Sequence, residues 1–159
     1  MIKLRKRKID KTDGKILSIL KKNADMSMEA LREILDFEHE ITITRQAVQA
    51  RVKKLKDEEI LKIKGIVNHE KLGQKVLAFV LVSFLPGGRY SQRELAKQMA
   101  EIPEIHGVWV ISGDWDILLK VRVNSLEDIG NLIVDKIRTL EGVGKTITCA
   151  CFSTVKEEY

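Results

Sequence analysis

Between Asp10 and Glu58 the apolar residues recur every three or four positions, the spacing of helices that each bury one face. Asp10 opens the first helix and Asp13 favours its N-terminal dipole; Ile16, Leu17, Ile19 and Leu20 form the stripe, and Asn23 ends it. Ser27 caps a second helix through Leu35, with Met28, Leu31, Ile34 and Leu35 inward. Asp36 to Ile43 reads as a connector longer than a tight helix-turn-helix uses, after which Thr44 caps a third helix running to Glu58. From Ile60 to Val67 apolar and polar residues alternate, which predicts a strand or wing leaving the helical module, and Asn68 to Gln74 reads as a linker.

The second half changes period. Val76 to Leu85 reads as a strand ended by Pro86-Gly87-Gly88. Ser91 and Glu94 form a capping box on a helix whose Leu95, Met99 and Ile102 face inward, and Pro103 stops it. Strands follow over Ile105–Ile111 and Asp116–Val123, joined through Gly113-Asp114. Asn124 or Ser125 opens a last helix with Leu126, Ile129, Ile133, Ile137 and Leu140 at helical spacing; Gly142 ends it, and a final strand covers Lys145 to Val155. The order βαββαβ predicts a ferredoxin-like sandwich, so the fold class is α+β: a (winged) helix-turn-helix domain followed by that sandwich. The domains read as a basic arm 1–8, a helix-turn-helix domain with its following strand 9–67, a linker 68–74 and a ferredoxin-like domain 75–159. Both faces of the first strand are apolar, Phe79 and Leu81 on one and Ala78, Val80 and Val82 on the other. A second buried sheet face implies a partner sheet, hence a homodimer or larger oligomer.

Charge adds a division of labour. Residues 1–74 hold 18 Lys/Arg against 12 Asp/Glu, a net +6, whereas residues 75–159 hold 10 against 11, a net −1. A basic module beside a near-neutral one points to a polyanionic partner for the first. The longest apolar stretch, Val76 to Leu85, falls short of the roughly 18 residues a membrane helix needs, and no secretory signal follows the basic start, so a cytoplasmic location without membrane contact is expected. Cys149 and Cys151 share one strand face and are expected as buried, reduced thiols. His39, His69 and His106 are scattered; neither a metal nor a cofactor is expected.

The third helix carries the candidate chemistry. Val48, Val52 and Leu55 form its inward stripe, which leaves Thr44, Arg45, Gln46, Gln49 and Ala50 on the exposed N-terminal part. Arg grips guanine O6 and N7, Gln pairs with adenine and Ala touches a thymine methyl, so these are expected to read bases in double-stranded DNA. Arg51, Lys53 and Lys54, with Lys62 and Lys64 on the following segment, are the expected phosphate contacts. A solvated amphipathic helix would carry the same polar residues; the capped helix before it and the segment after it favour DNA.

These residues also resemble the Lrp/AsnC (leucine-responsive, feast/famine) family of archaeal and bacterial transcription regulators. The likeness rests on Ile9-Asp10, Asp13, Ile16-Leu17, Leu20, Asn23-Ala24, Ser27, Val48, Arg51-Val52, Leu55, Ile60-Leu61 and Leu72-Gly73. In the second half it rests on Gly113-Asp114-Trp115-Asp116, Leu140-Glu141-Gly142-Val143 and Thr146-Ile147-Thr148. The resemblance implies a sheet-to-sheet dimer assembling to tetramers or octamers, and an amino-acid effector site near Gly113, Asp114, Trp115 and Asp116. Asp114 or Asp116 would receive the α-amino group, and Thr146 and Thr148 would add hydroxyls; the alternative is a plain Gly-Asp turn with Trp115 as packing. The chain departs from the family pattern in the long connector, with acidic Glu38 and Glu40, and in Glu59, which replaces the glycine that usually follows the third helix.

Two other classes compete. The chain resembles, more distantly, the sirohaem decarboxylases, an enzyme family of the same two-part build, but its second half offers only His106 with Arg89, Arg93, Arg122 and Arg138 for tetrapyrrole carboxylates. An oligomeric metabolite sensor without DNA binding would leave the basic half without a task. The expected function is therefore a sequence-specific DNA-binding regulator and not an enzyme.

Overall fold

Two compact units meet between Gly65 and Ile66 in the computed structural model, which describes residues 9–157. The basic arm expected over residues 1–8 lies outside the described residues.

The first unit is three capped helices, α1 (Lys11–Lys22), α2 (Met28–His39) and α3 (Arg45–Asp57). Each N-cap side chain accepts from a backbone N–H three residues on: Asp10 from Asp13 at 2.7 Å, Ser27 from Ala30 at 3.0 Å, Thr44 from Ala47 at 3.2 Å. These bonds satisfy donors that a helix start leaves without partners. Ile16, Ile19, Leu20, Leu31, Leu35, Val48, Val52 and Leu55 form one buried cluster, joined by partly buried Ile41, Ile43 and Leu61.

The long connector largely disappears. α2 runs one turn beyond Leu35 and ends on Glu40, whose φ of 55° is left-handed. Only residues 40–43 then bridge to α3, pinned by Ile41 and Ile43 on the core and by the Thr42 hydroxyl donating to Asp36 at 2.6 Å. The extra residues therefore lengthen a helix and make no bulge. The strand expected over Ile60–Val67 is absent. Ile60 and Leu61 both donate backbone N–H groups to the Leu55 carbonyl, at 2.9 and 3.0 Å, closing off α3. Beyond them the alternating pattern has no neighbouring strand in this unit, and a ladder needs one.

In the second unit, β1 (Val76–Phe84), α4 (Gln92–Ala100), β2 (Ile105–Val110), β3 (Ile117–Val123), α5 (Leu126–Asn131) and β4 (Val143–Ala150) follow in order. The sheet order is β2-β3-β1-β4 with antiparallel pairs throughout, the ferredoxin-like arrangement. Val80 pairs with Leu119 on one side and Thr148 on the other, which puts all three on the helix-covered face. There Ala78, Val80, Val82, Ile117, Leu119 and Val121 meet Leu95, Met99, Ile129, Ile133 and Ile137. α4 starts on the expected capping box of Ser91 and Glu94.

The last helix differs from its expected single stripe. After Asn131 it widens to a π turn over Leu132–Ile137, shown by the Arg138 N–H donating to the Ile133 carbonyl five residues back at 2.9 Å. Leu126, expected inward, is 67% exposed, because the buried stripe begins only at Ile129. Residues 68–74, read as a linker, fold with this unit through turn bonds such as Gln74 N–H to the His69 carbonyl at 3.0 Å.

The other sheet face is open in the single chain. Phe79, Leu81 and Leu118 are half-buried there, while Trp109 and Ile147 are each 47% exposed. Gly107 makes room for the Trp109 indole, whose nearest atom lies 2.3 Å from where a Cβ would sit. Cys149 pairs with Phe79 and so lies on this face, exposed; Cys151 is half-buried. The expected burial of both thiols fails because β4 stops at Ala150, short of Val155, and none of the described residues covers its outer surface.

Candidate nucleic-acid interface and effector loop

The buried stripe Val48, Val52 and Leu55 fixes the rotation of α3. Arg45, Gln46, Gln49 and Ala50 are all exposed as a result, clustered in the first turn and a half. Thr44 is exposed too, but its hydroxyl oxygen is used as the N-cap acceptor. The arrangement presents a guanidinium, two carboxamides and a methyl group from one rigid helix end, the set that distinguishes base pairs in a major groove.

The five expected phosphate contacts divide. Lys54, Lys62 and Lys64 are exposed. Lys53 is exposed as well, with its ammonium 2.7 Å from Asp57 in a surface pair that holds its proton more firmly than usual. Such a solvent-exposed pair adds little and leaves the ammonium available to a phosphate.

Arg51 is different. One guanidinium nitrogen donates to Asp10 at 2.6 Å and to Asp13 at 2.8 Å, and the Asp13 side chain is fully buried. Arg51, expected as a phosphate contact, here forms an internal clamp between α3 and the start of α1. The Asp10 carboxyl sits below the ordinary carboxylate range, first through the Asp13 backbone N–H and then through Arg51. Sequence reasoning saw Asp13 as a dipole partner and Arg51 as a surface cation; their separation of 38 residues hid the pairing.

At the other candidate site, Gly113 adopts a φ of 118°, and it and Asp114 are exposed, with Trp115 half-buried. Asp116 is committed elsewhere. Its carboxylate accepts from the Phe84 backbone N–H at 2.7 Å and from Gln92 at 3.3 Å, tying β1 and α4 to the start of β3. Of the two acids, Asp114 is the exposed one. Thr146 accepts from the Arg138 guanidinium at 3.1 and 3.0 Å. Thr146 pairs with Val82, whose other neighbour is Ile117, so a whole strand separates Thr146 from the Gly113 loop; Thr148 lies two residues further along, opposite Val80. Gln92 was not anticipated, and Arg138 only as a tetrapyrrole contact, since neither belongs to a spaced motif.

The model of the Lrp/AsnC ligand binding domain matches residues 77–159. An uncharacterised HTH-type transcriptional regulator of Pyrococcus furiosus is 40% identical over 151 residues, spanning 94% of this chain and 97% of that one. The HTH-type transcriptional regulator FL11 of the same organism is 30% identical over 150 residues, spanning 94% and 93%. Among solved structures, a transcriptional regulator of Neisseria meningitidis in complex with L-methionine superposes with a TM-score of 0.86 at 22% identity, covering 95% of this chain and 94% of that one. Escherichia coli AsnC superposes with a TM-score of 0.82 at 19% identity, covering 96% and 98%.

Proposed function

The chain belongs to the Lrp/AsnC family of transcription regulators, and from that premise we propose that the exposed N-terminal part of α3 reads base edges in the major groove of double-stranded DNA. The chain is a regulator and not an enzyme, as its curated relatives are named. The observation that carries the proposal is the exposure of Arg45, Gln46, Gln49 and Ala50 beside a fully buried Val48. Lys53, Lys54, Lys62 and Lys64 supply charge to the phosphate backbone, whereas Arg51 holds the module together.

Two parts complete the reading. The open sheet face of Phe79, Leu81, Trp109, Leu118 and Ile147 is covered by the same face of a second copy, giving a two-fold dimer that presents two reading helices. An amino acid binds at the Gly113 loop with its ammonium on Asp114 and Trp115 beside it; the bound L-methionine of the Neisseria regulator supports the ligand class.

Selection of bound fragments from random duplex DNA, with and without a panel of amino acids, tests this reading. Recovery of a recurring sequence is the expected result, with affinity falling by roughly 0.9 log units per log unit of salt for each phosphate neutralised. Gln49→Ala is expected to weaken the recovered sites by about 1–3 kcal/mol while sparing random DNA, and Lys62→Ala to weaken both alike. Equal losses on both kinds of DNA for Gln49→Ala would remove base reading from α3.

A further inference from the structure

Two cations lie low on the open face of the sheet, near the end of β3. The side chains of Lys120 and Arg122 are only 14% and 10% exposed. Burying two like charges beside each other is costly unless a counter-charge is held there. The chain supplies one from its own far end: the Glu157 carboxylate accepts from the Lys120 ammonium and, at 3.0 Å, from Arg122. To reach them, residues 151–157 leave β4, which is paired with β1, and cross towards β3 on the far side of β1. Phe152 and Val155 on this crossing are fully exposed, so apolar burial of those two side chains does not hold it down.

The site is larger than its present occupant. A cavity of about 370 Å³ adjoins it, lined by Ile66, Val67, Asn68, His69, Thr154 and the two acids Glu70 and Glu157, with Arg122 on its wall. The Arg122 Nε is buried and has no hydrogen-bond partner among the described residues. Positive potential extends to β2. His106, in edge contact with His69 at 4.7 Å, is held below the usual imidazole range by partial burial, then by His69, Arg122 and Lys120.

We propose that Lys120 and Arg122, with this cavity, form a carboxylate-binding site that Glu157 fills in cis and that a small free monocarboxylate fills in its place. Lys120 and Arg122 both meet the Glu157 carboxylate, so an incoming carboxylate meets the same two cations when Glu157 leaves. The carboxylate takes over the bonds from Lys120 and Arg122, and the body of the ligand enters the cavity beside Asn68 and Thr154. The site is separate from the Gly113 loop: Lys120 lies four residues along β3 from Asp116, about 13 Å at strand spacing, and on the opposite sheet face from Thr146 and Thr148. It depends on neither the DNA reading nor the loop reading, and it adjoins the patch that a second copy covers, at the end of β3 where the chain's own Glu157 lies over Lys120 and Arg122.

A tethered carboxylate acts at an effective concentration in the millimolar range, so the free ligand competes poorly in the intact chain and well once Glu157 is neutral. The test is chemical rescue. Glu157→Gln is expected to lower the thermal midpoint by roughly 4 °C or more, and sodium butyrate at tens of millimolar to restore much of that loss where equal sodium chloride does not. Lys120→Met added to Glu157→Gln is expected to abolish the butyrate response. In the intact chain, butyrate is expected to speed amide hydrogen exchange over residues 152–157 relative to chloride, a readout that stands if the variant fails to fold. Identical effects of butyrate and chloride on Glu157→Gln would overturn the proposal. So would a butyrate response that survives loss of Lys120, or, if the variant does not fold, unchanged exchange in the intact chain.

Discussion

Replacing Arg51 with methionine separates a structural cation from a DNA-contacting one. In the folded chain its guanidinium serves Asp10 and Asp13 at once, with Asp13 fully buried and Arg51 itself one-third exposed. Removing one partner of a wholly buried pair costs roughly 3–5 kcal/mol, whereas an exposed pair contributes less than about 1. With one end buried and the other partly solvated, a loss of about 2 kcal/mol is expected, since methionine retains the apolar stem but withdraws the guanidinium from both carboxylates. For a module of this size that corresponds to a fall in midpoint of roughly 8–16 °C. Urea unfolding followed by far-UV circular dichroism measures the loss, and DNA titrations at several salt concentrations, run where both forms are folded, measure the second quantity. The salt slope is expected to stay that of the unaltered chain. Stability unchanged within about 0.5 kcal/mol, together with a slope shallower by about 0.9, would refute the internal role and return Arg51 to the phosphate backbone.

Glu59 has a φ of 57°, a left-handed conformation in which a side chain costs about 1–2 kcal/mol. Glu59→Gly is expected to recover about 1 kcal/mol in urea unfolding, and a loss of stability would argue against that backbone geometry. Acid acts on the clamp with a definite sign. Asp10 has a lower pKa folded than unfolded, so its contribution is complete above the unfolded value of about 4 and is lost as pH falls through the folded one. Thermal midpoints measured downward from pH 6 should fall more steeply for the unaltered chain than for Asp10→Asn, and parallel profiles would contradict the linkage. Asp116→Asn is expected to lower the stability of the second unit by about 1–3 kcal/mol, because a carboxylate that accepts from Phe84 and Gln92 becomes an amide with one acceptor. A stable Asp116→Asn form with altered amino-acid response would instead assign Asp116 to the effector.

The fold was legible wherever local chemistry decides it. Asp10, Ser27, Thr44 and the Ser91–Glu94 box each start the helix that their side chains announce, and the βαββαβ order emerges from period alone. What was not legible depends on partners distant in sequence or missing from the chain. Residues 60–67 alternate like a strand but pair with no strand among the described residues. Cys149 looks like a core residue because its strand is apolar, yet it faces outward on an uncovered sheet. The same holds at the candidate sites. The rotation of α3 follows from its own stripe, so Arg45, Gln46, Gln49 and Ala50 were found correctly as an exposed group. Arg51, Asp116 and Glu157 acquire their roles from residues 24 to 41 positions away, and no spacing rule reaches that far.

The π turn at Leu132–Ile137 works like a surplus tooth on a gear. One additional residue in a turn advances everything after it by about 100° around the axis, while the helix before it keeps its own phase. That advance brings Arg138 round to β4, where its guanidinium meets Thr146. Shortening the segment by a single residue would restore an ordinary helix and swing the guanidinium away from the strand. The edge of the sheet therefore takes its chemistry from an irregularity in the helix that precedes it, and a tidier helix would leave that threonine bare.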